Sequence, residues 1–162
     1  MKTRLLLTAI LLLSAFIGCS RFYFGGPDKA KSQAEDYVEV GTQAFEEGQW
    51  KEAAIAFNRA LKLDEFSAKA YSGMALVLAQ REQMDAAIAY AERAIQLQPS
   101  SAAAYTAKGR ALLLSNMTEK IGPALHALDL ALEMDANFEP ALFFKAVAHT
   151  EQKEHEAAVE IL

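Results

Sequence analysis

Side chains that do chemistry are scarce in these 162 residues: one cysteine, Cys19, and three histidines, His126, His149 and His155. A lone cysteine excludes a disulfide within the chain. His149 and His155 stand six apart with Glu151 and Glu154 between them, a poor interval for one helical face, so solvated surface is the reading to set against a metal site. There is no phosphate-cradling glycine loop and no serine-centred elbow. Carboxylates such as Glu46, Glu47 and Asp135 fit solvated faces or helix ends. Neither a catalytic constellation nor a cofactor is indicated. Basic residues are also few: 16 Lys and Arg against 21 Asp and Glu give a net charge of −5. An acidic chain without a basic cluster is a poor candidate for nucleic acid. Long apolar runs are missing as well. Leu5–Ile17, broken only by Thr8 and Ser14, is 13 residues, and a bilayer core of about 30 Å needs roughly 20 helical residues.

What the chain does have is alanine, leucine, glutamate, lysine and glutamine, with no alternating strand pattern, as helices prefer. The most regular stretch is Ala68–Pro99. It divides into two short helices at a turn near Glu82–Met84. Tyr71, Met74, Ala75 and Leu78 mark one apolar stripe; Ala87, Ile88, Ala91, Ala94, Ile95 and Leu97 mark the other, and Pro99 ends it. Neither stripe is buried by its own pair, so the pair needs neighbours of its kind. The chain supplies them at an interval of 34: Gly41, Ala75 and Gly109; Ala53 and Ala87; Ala60 and Ala94; Leu63 and Leu97.

This spacing, with tyrosine or another bulky residue ahead of a small one, resembles the tetratricopeptide repeat. The matching residues are Tyr37, Val40, Gly41, Ala53, Phe57 and Ala60 in a first unit, and Tyr71, Met74, Ala75, Leu78, Ala87, Ala94 and Pro99 in a second. Tyr105, Gly109, Leu112, Ala124, Leu128 and Ala131 mark a third unit, and a fourth opens at Leu142, Lys145 and Ala146. The resemblance implies an all-α fold, a right-handed superhelical solenoid of antiparallel helix pairs over residues 33–162. Its units would be 34–67, 68–101, 102–138 and a partial 139–162. Trp50 would open the second helix of the first unit as a large core plug, and Ser100 or Ser101 would cap the helix starting near Ala102. Three residues are inserted between Leu114 and Ala124, either as a tolerated loop or as a partner contact by Met117 or Ile121. Pro123 suits the first turn of the helix that follows. The fourth unit's second helix would begin near His155 or Glu156 with no polar cap after it, which a solenoid end normally requires. Either a partner or self-association through this uncapped end would cover it, or the natural product would run on past Leu162.

In proteins of this kind the first helices of the units line a concave groove for an extended or helical peptide. By resemblance the groove residues are Val38, Thr42 and Phe45; Lys69, Ser72 and Leu76; Thr106, Arg110 and Leu113; and Phe143 and Val147. For each of them, packing against the neighbouring helix is the alternative. Members that dock chaperones clamp a terminal carboxylate with lysine and asparagine; Val38 and Thr42 stand where part of that clamp would be.

The segment 1–18, with Lys2 and Arg4 before its apolar run, has the form of a secretory signal peptide. Its end, Phe16-Ile17-Gly18-Cys19, resembles the lipobox of bacterial lipoproteins, which implies lipidation of Cys19. Ser20 then implies sorting to the outer membrane, facing the periplasm of a Gram-negative cell. Removal of 1–18 leaves a charge of 14 − 21 = −7. Residues 19–32, punctuated by Gly25-Gly26-Pro27, read as a flexible tether spanning roughly 20 Å. Phe22, Tyr23 and Phe24 either lie at the lipid interface or pack over the first helix. The whole implies a membrane-anchored envelope adaptor that binds a protein or peptide partner. Narrower forms are a pilotin-like assembly factor for a secretion or type IV pilus pore, and a scaffold for cell-wall hydrolases.

Overall fold

The computed structural model describes residues 27–115 and 120–152. The expected signal peptide, Cys19, the aromatic triplet at 22–24, a contact by Met117 and a helix near His155 lie outside those residues. Among the described residues there are seven α-helices and no strand: α1 Pro27–Glu46, α2 Trp50–Leu63, α3 Ala68–Gln80, α4 Met84–Leu97, α5 Ala102–Leu114, α6 Ile121–Met134 and α7 Glu139–Glu151.

The first helix corrects one expectation. Pro27–Ser32 are not tether but the opening turns of α1. Proline at a first helical position has no N–H to lose and a fixed φ suited to the helix, and Asp28 in that turn complements the helix dipole. Ala34, 1% exposed, shows that this early part of α1 is packed against the rest.

Local chemistry fixes the boundaries. Ser67 and Ser101 each cap the following helix, accepting from Ala70 N and Ala104 N at 3.3 Å. The turns before α2 and α4 each contain one left-handed residue, Gly48 (φ 76°) and Glu82 (φ 59°). After α2 and α6, Asp64 and Asp135 accept from Phe66 N at 3.0 Å and Asn137 N at 3.1 Å. From α3 to α5 the helix start moves 34 residues, and from α5 to α7 it moves 37. The three extra residues fall in the α5–α6 turn, and Pro123 sits in the first turn of α6.

Each helix packs on the next, and each odd-numbered helix also packs on the odd-numbered one before and after it. Even-numbered helices have no comparable contact with each other among the described residues. Odd helices therefore form the inner layer of a curved stack, and even helices the outer one. What lets them approach is alanine: among the described residues the buried apolar positions are 21 alanines and only Phe57, Met74, Val77, Leu112, Ile121 and Leu128 besides. Two of these larger side chains act as wedges. Phe57 lies between Gly41 and Gly73, and Leu128 lies against Gly109; a Cβ at any of the three glycines would come within 2.7 Å of the wedge. Trp50 is thus not the core plug. It is half-buried, edge-on to Phe45 at 4.9 Å between centroids, and Phe57 fills the core position. Two ion pairs tie an outer helix to the next inner one in the same register, Lys108–Glu92 at 2.8 Å and Lys145–Asp129 at 2.7 Å.

Candidate functional site

The inner face is built by α1, α3, α5 and α7, and its two ends differ. Toward the start of α3 lies an open cleft of about 860 Å³, walled by α1 from Lys31 to Thr42, by the Asp64–Lys69 turn and by Leu97 and Gln98 at the end of α4. Val38 and Leu97 are half-buried here, and Phe66 in the turn is 62% exposed. Lys69 and Thr42 are exposed on the wall, and the Thr42 hydroxyl donates to the Val38 carbonyl at 2.9 Å.

Toward the ends of α1 and α3 the face is closed by Arg110. Its guanidinium lies 5.4 Å from the centre of the Phe45 ring and 5.2 Å from that of Phe144, and its Nη2 donates to Gln80 Oε1 at 2.6 Å. Four helices meet on this one side chain. Guanidinium on aromatic faces is attractive because the ring quadrupole is negative there, and more so where water is displaced. Burial lowers the pKa of Arg110 from its ordinary value, yet an arginine remains charged at any physiological pH. Its Nε is buried without a hydrogen-bond partner among the described residues, and so is the Thr106 hydroxyl one turn earlier. Ser72, at the same register one repeat back, does find a partner, the Ala68 carbonyl at 3.0 Å.

The residues expected to line the groove therefore fall into groups. Val38, Thr42 and Lys69 come together in the cleft. Phe45 and Arg110 belong to the clasp. Ser72 and Thr106 are buried, at 4% and 3% exposure. Leu76 packs on the Ala75, Ala91 and Ala107 cluster, and Leu113 on Leu128 and Ala131. Val147 is half-buried, and Phe143, 54% exposed, stands edge-on to Phe144 at 5.2 Å. Sequence reasoning missed Gln80 and Phe144. With the three-residue insertion counted, Phe144 takes the register of Ala107 and Gly73, a position of helix packing. A phenylalanine there is large enough to reach Arg110. It also missed Glu35, Asp36, Glu39 and Phe66 on the cleft. The 35, 38, 39, 42 spacing on one face of α1 was the available signal. Among the described residues no three His, Cys, Asp or Glu side chains converge as a metal ion requires, and no helix is long and apolar enough to cross a membrane.

The tetratricopeptide repeat family profile matches residues 41–102 and 74–116. A tetratricopeptide-repeat protein of Thermus thermophilus superposes with a TM-score of 0.70 at 17% identity, over 79% of this chain and 72% of its own. The TPR2B domain of yeast Sti1, solved in complex with pHsp70, gives 0.58 at 25% identity over 80% of this chain and 95% of its own. The O-GlcNAc transferase of Thermobaculum terrenum gives 0.67 at 18% identity over 75% of this chain, which spans only 23% of that enzyme. The helix pairs, the 34-residue interval, the profile and these superpositions agree on one architecture, an all-α stack of helical repeats similar to that of tetratricopeptide-repeat proteins.

Proposed function

We propose that the chain is a lipid-anchored adaptor of the bacterial envelope that holds a segment of a partner protein on the inner face of its repeats. The observation that carries the binding part is the cleft: open, about 860 Å³, and walled by three separate elements. Apolar Val38, Phe66 and Leu97 stand in it beside charged and hydrogen-bonding side chains. Binding sites combine such an apolar surface with a few placed polar groups. The yeast domain that this chain resembles was solved in complex with pHsp70, which supports a protein partner. The anchor rests on the sequence around Cys19. Each buried acyl methylene contributes about 0.8 kcal/mol, so two or three chains hold where one does not.

Two measurements test this. Palmitate labelling should be lost on Cys19→Ala, with the protein leaving the membrane fraction; labelling that survives removes the anchor. A photo-crosslinking residue at Thr42 or Lys69 should trap a partner in cells, whereas one at Ile55, 46% exposed on α2, should not. The opposite pattern would move binding to the outer layer. Trapped pore, pilus or cell-wall proteins would select between the narrower roles, and the absence of all three would end both.

A further inference from the structure

The open cleft is unequal in charge as well as in shape. Glu35, Asp36 and Glu39 from α1 and Asp64 from the end of α2 line it together with Lys31 and Lys69: four carboxylates and two ammonium groups. Asp64 is already engaged by Phe66 N. Glu35, Asp36 and Glu39 are exposed and form no ion pair among the described residues. Glu35 and Glu39 are one helical turn apart, about 6 Å along the axis. Alternate side chains of an extended segment are about 6.6 Å apart and point the same way. An extended segment lying along α1 would therefore set every second residue against successive carboxylates. Its intervening residues would turn toward Phe66, Val38 and Leu97. A long helix would not fit this arrangement, because the Arg110 clasp fills the inner face beyond the cleft.

We infer that the cleft takes an extended segment of a partner protein in which lysine or arginine alternates with aliphatic or aromatic residues, and that it turns acidic segments away. The inference rests on the adaptor reading of this face and adds the chemistry of the occupant. Because the carboxylates are exposed, their share of the binding falls with salt while the apolar share does not.

The test is fluorescence anisotropy with the whole chain and three labelled peptides: alternating Lys and Leu, alternating Glu and Leu, and alternating Lys and Ser. The Lys–Leu peptide should bind about tenfold or more tighter than either counterpart, and weaken between about 50 mM and 300 mM salt. Glu35→Lys with Glu39→Lys should reverse the preference between Lys–Leu and Glu–Leu. Phe66→Ser should bring Lys–Leu level with Lys–Ser. These positions are exposed, so circular dichroism should show unchanged helix content. Equal binding of Glu–Leu, no binding of Lys–Leu, or indifference to the charge reversal would overturn the inference. So would Lys–Leu binding that emerges only with Arg21→Glu, since the occupant would then be the chain's own segment ahead of Pro27. A cellular partner trapped at Thr42 whose capture ignores the charge reversal would keep the adaptor and remove the basic segment. Loss of trapping at Thr42 in the unaltered chain would remove the adaptor itself.

Discussion

Gly73→Ala tests how the first two repeats are held together. A Cβ at Gly73 would lie 2.3 Å from two carbons of the Phe57 ring and 2.8 Å from a third, where ordinary contact begins at 3.4 Å. The ring cannot retreat. It is 2% exposed, and on its other side a Cβ at Gly41 would already meet it at 2.7 Å. Helices α1 and α3 must then move apart around α2. Overpacking of this kind costs about 2–3 kcal/mol, partly offset by the roughly 1 kcal/mol by which alanine favours a helix interior over glycine. The net expectation is a loss of about 1–2 kcal/mol. Phe57→Leu alone should cost about 1–2 kcal/mol by leaving the wedge too small. Combined, the two should lose less than their sum by about 1 kcal/mol or more, since each relieves the other.

Urea unfolding followed by helical circular dichroism, with slopes compared to detect uncoupling of repeats, gives all three values. Gly122→Ala is the control. Nothing lies within 4 Å of a Cβ there, so the change should be neutral or mildly stabilising. Additivity of Gly73→Ala and Phe57→Leu to within about 0.3 kcal/mol would refute the wedge. So would a Gly73→Ala variant as stable as the parent.

Three further substitutions probe the same packing. Ala87 is fully buried beside Ala79 and Ala111, so Ala87→Leu should cost about 1–3 kcal/mol by overpacking; an unchanged melting temperature would contradict the α3–α4 pairing. Arg110→Ala should cost about 1–2 kcal/mol by removing guanidinium from between two rings. It should also speed amide exchange in α7 more than in α2, because Phe144 loses its contact with the inner face; equal effects would mean that the clasp does not couple them. Thr106→Val removes a buried hydroxyl with no partner among the described residues at nearly constant shape, and should raise stability by about 1 kcal/mol in thermal or urea unfolding. A loss instead would show that a water or a bound group satisfies that hydroxyl.

How much of this was legible in the sequence differs between scaffold and site, for a physical reason. The interval of 34 that relates Gly41, Ala75 and Gly109 is imposed by close helix approach, and close approach admits only small side chains. Packing of that kind leaves a periodic record, so the helix pairs, a serine cap at 100 or 101 and the turn insertion can be read directly. Which large residue wedges the stack leaves no such record. Trp50 is bigger than Phe57, but Trp50 opens a helix at its exposed end while Phe57 sits opposite two glycines. The end of the tether is ambiguous in Gly25-Gly26-Pro27, which marks a break but not on which side of the proline the helix lies. A proline at a first helical position begins one as readily as another ends there. The inner face was legible only in outline. Spacing puts Val38, Thr42, Lys69 and Arg110 on inner helices, but not which of them are still available once the helices stack. By spacing alone Arg110 is one more groove residue. It is instead covered by Phe45 and Phe144, which stand on the first and the last of the described helices. A contact between helices two repeats and more apart depends on the curvature of the stack, which is a sum over all the interfaces and belongs to no single repeat. The same curvature leaves the cleft open at one end and the clasp closed at the other. The partner's chemistry is therefore written where the repeats depart from one another: Glu35 and Glu39 on α1, and Phe66 in the turn before α3.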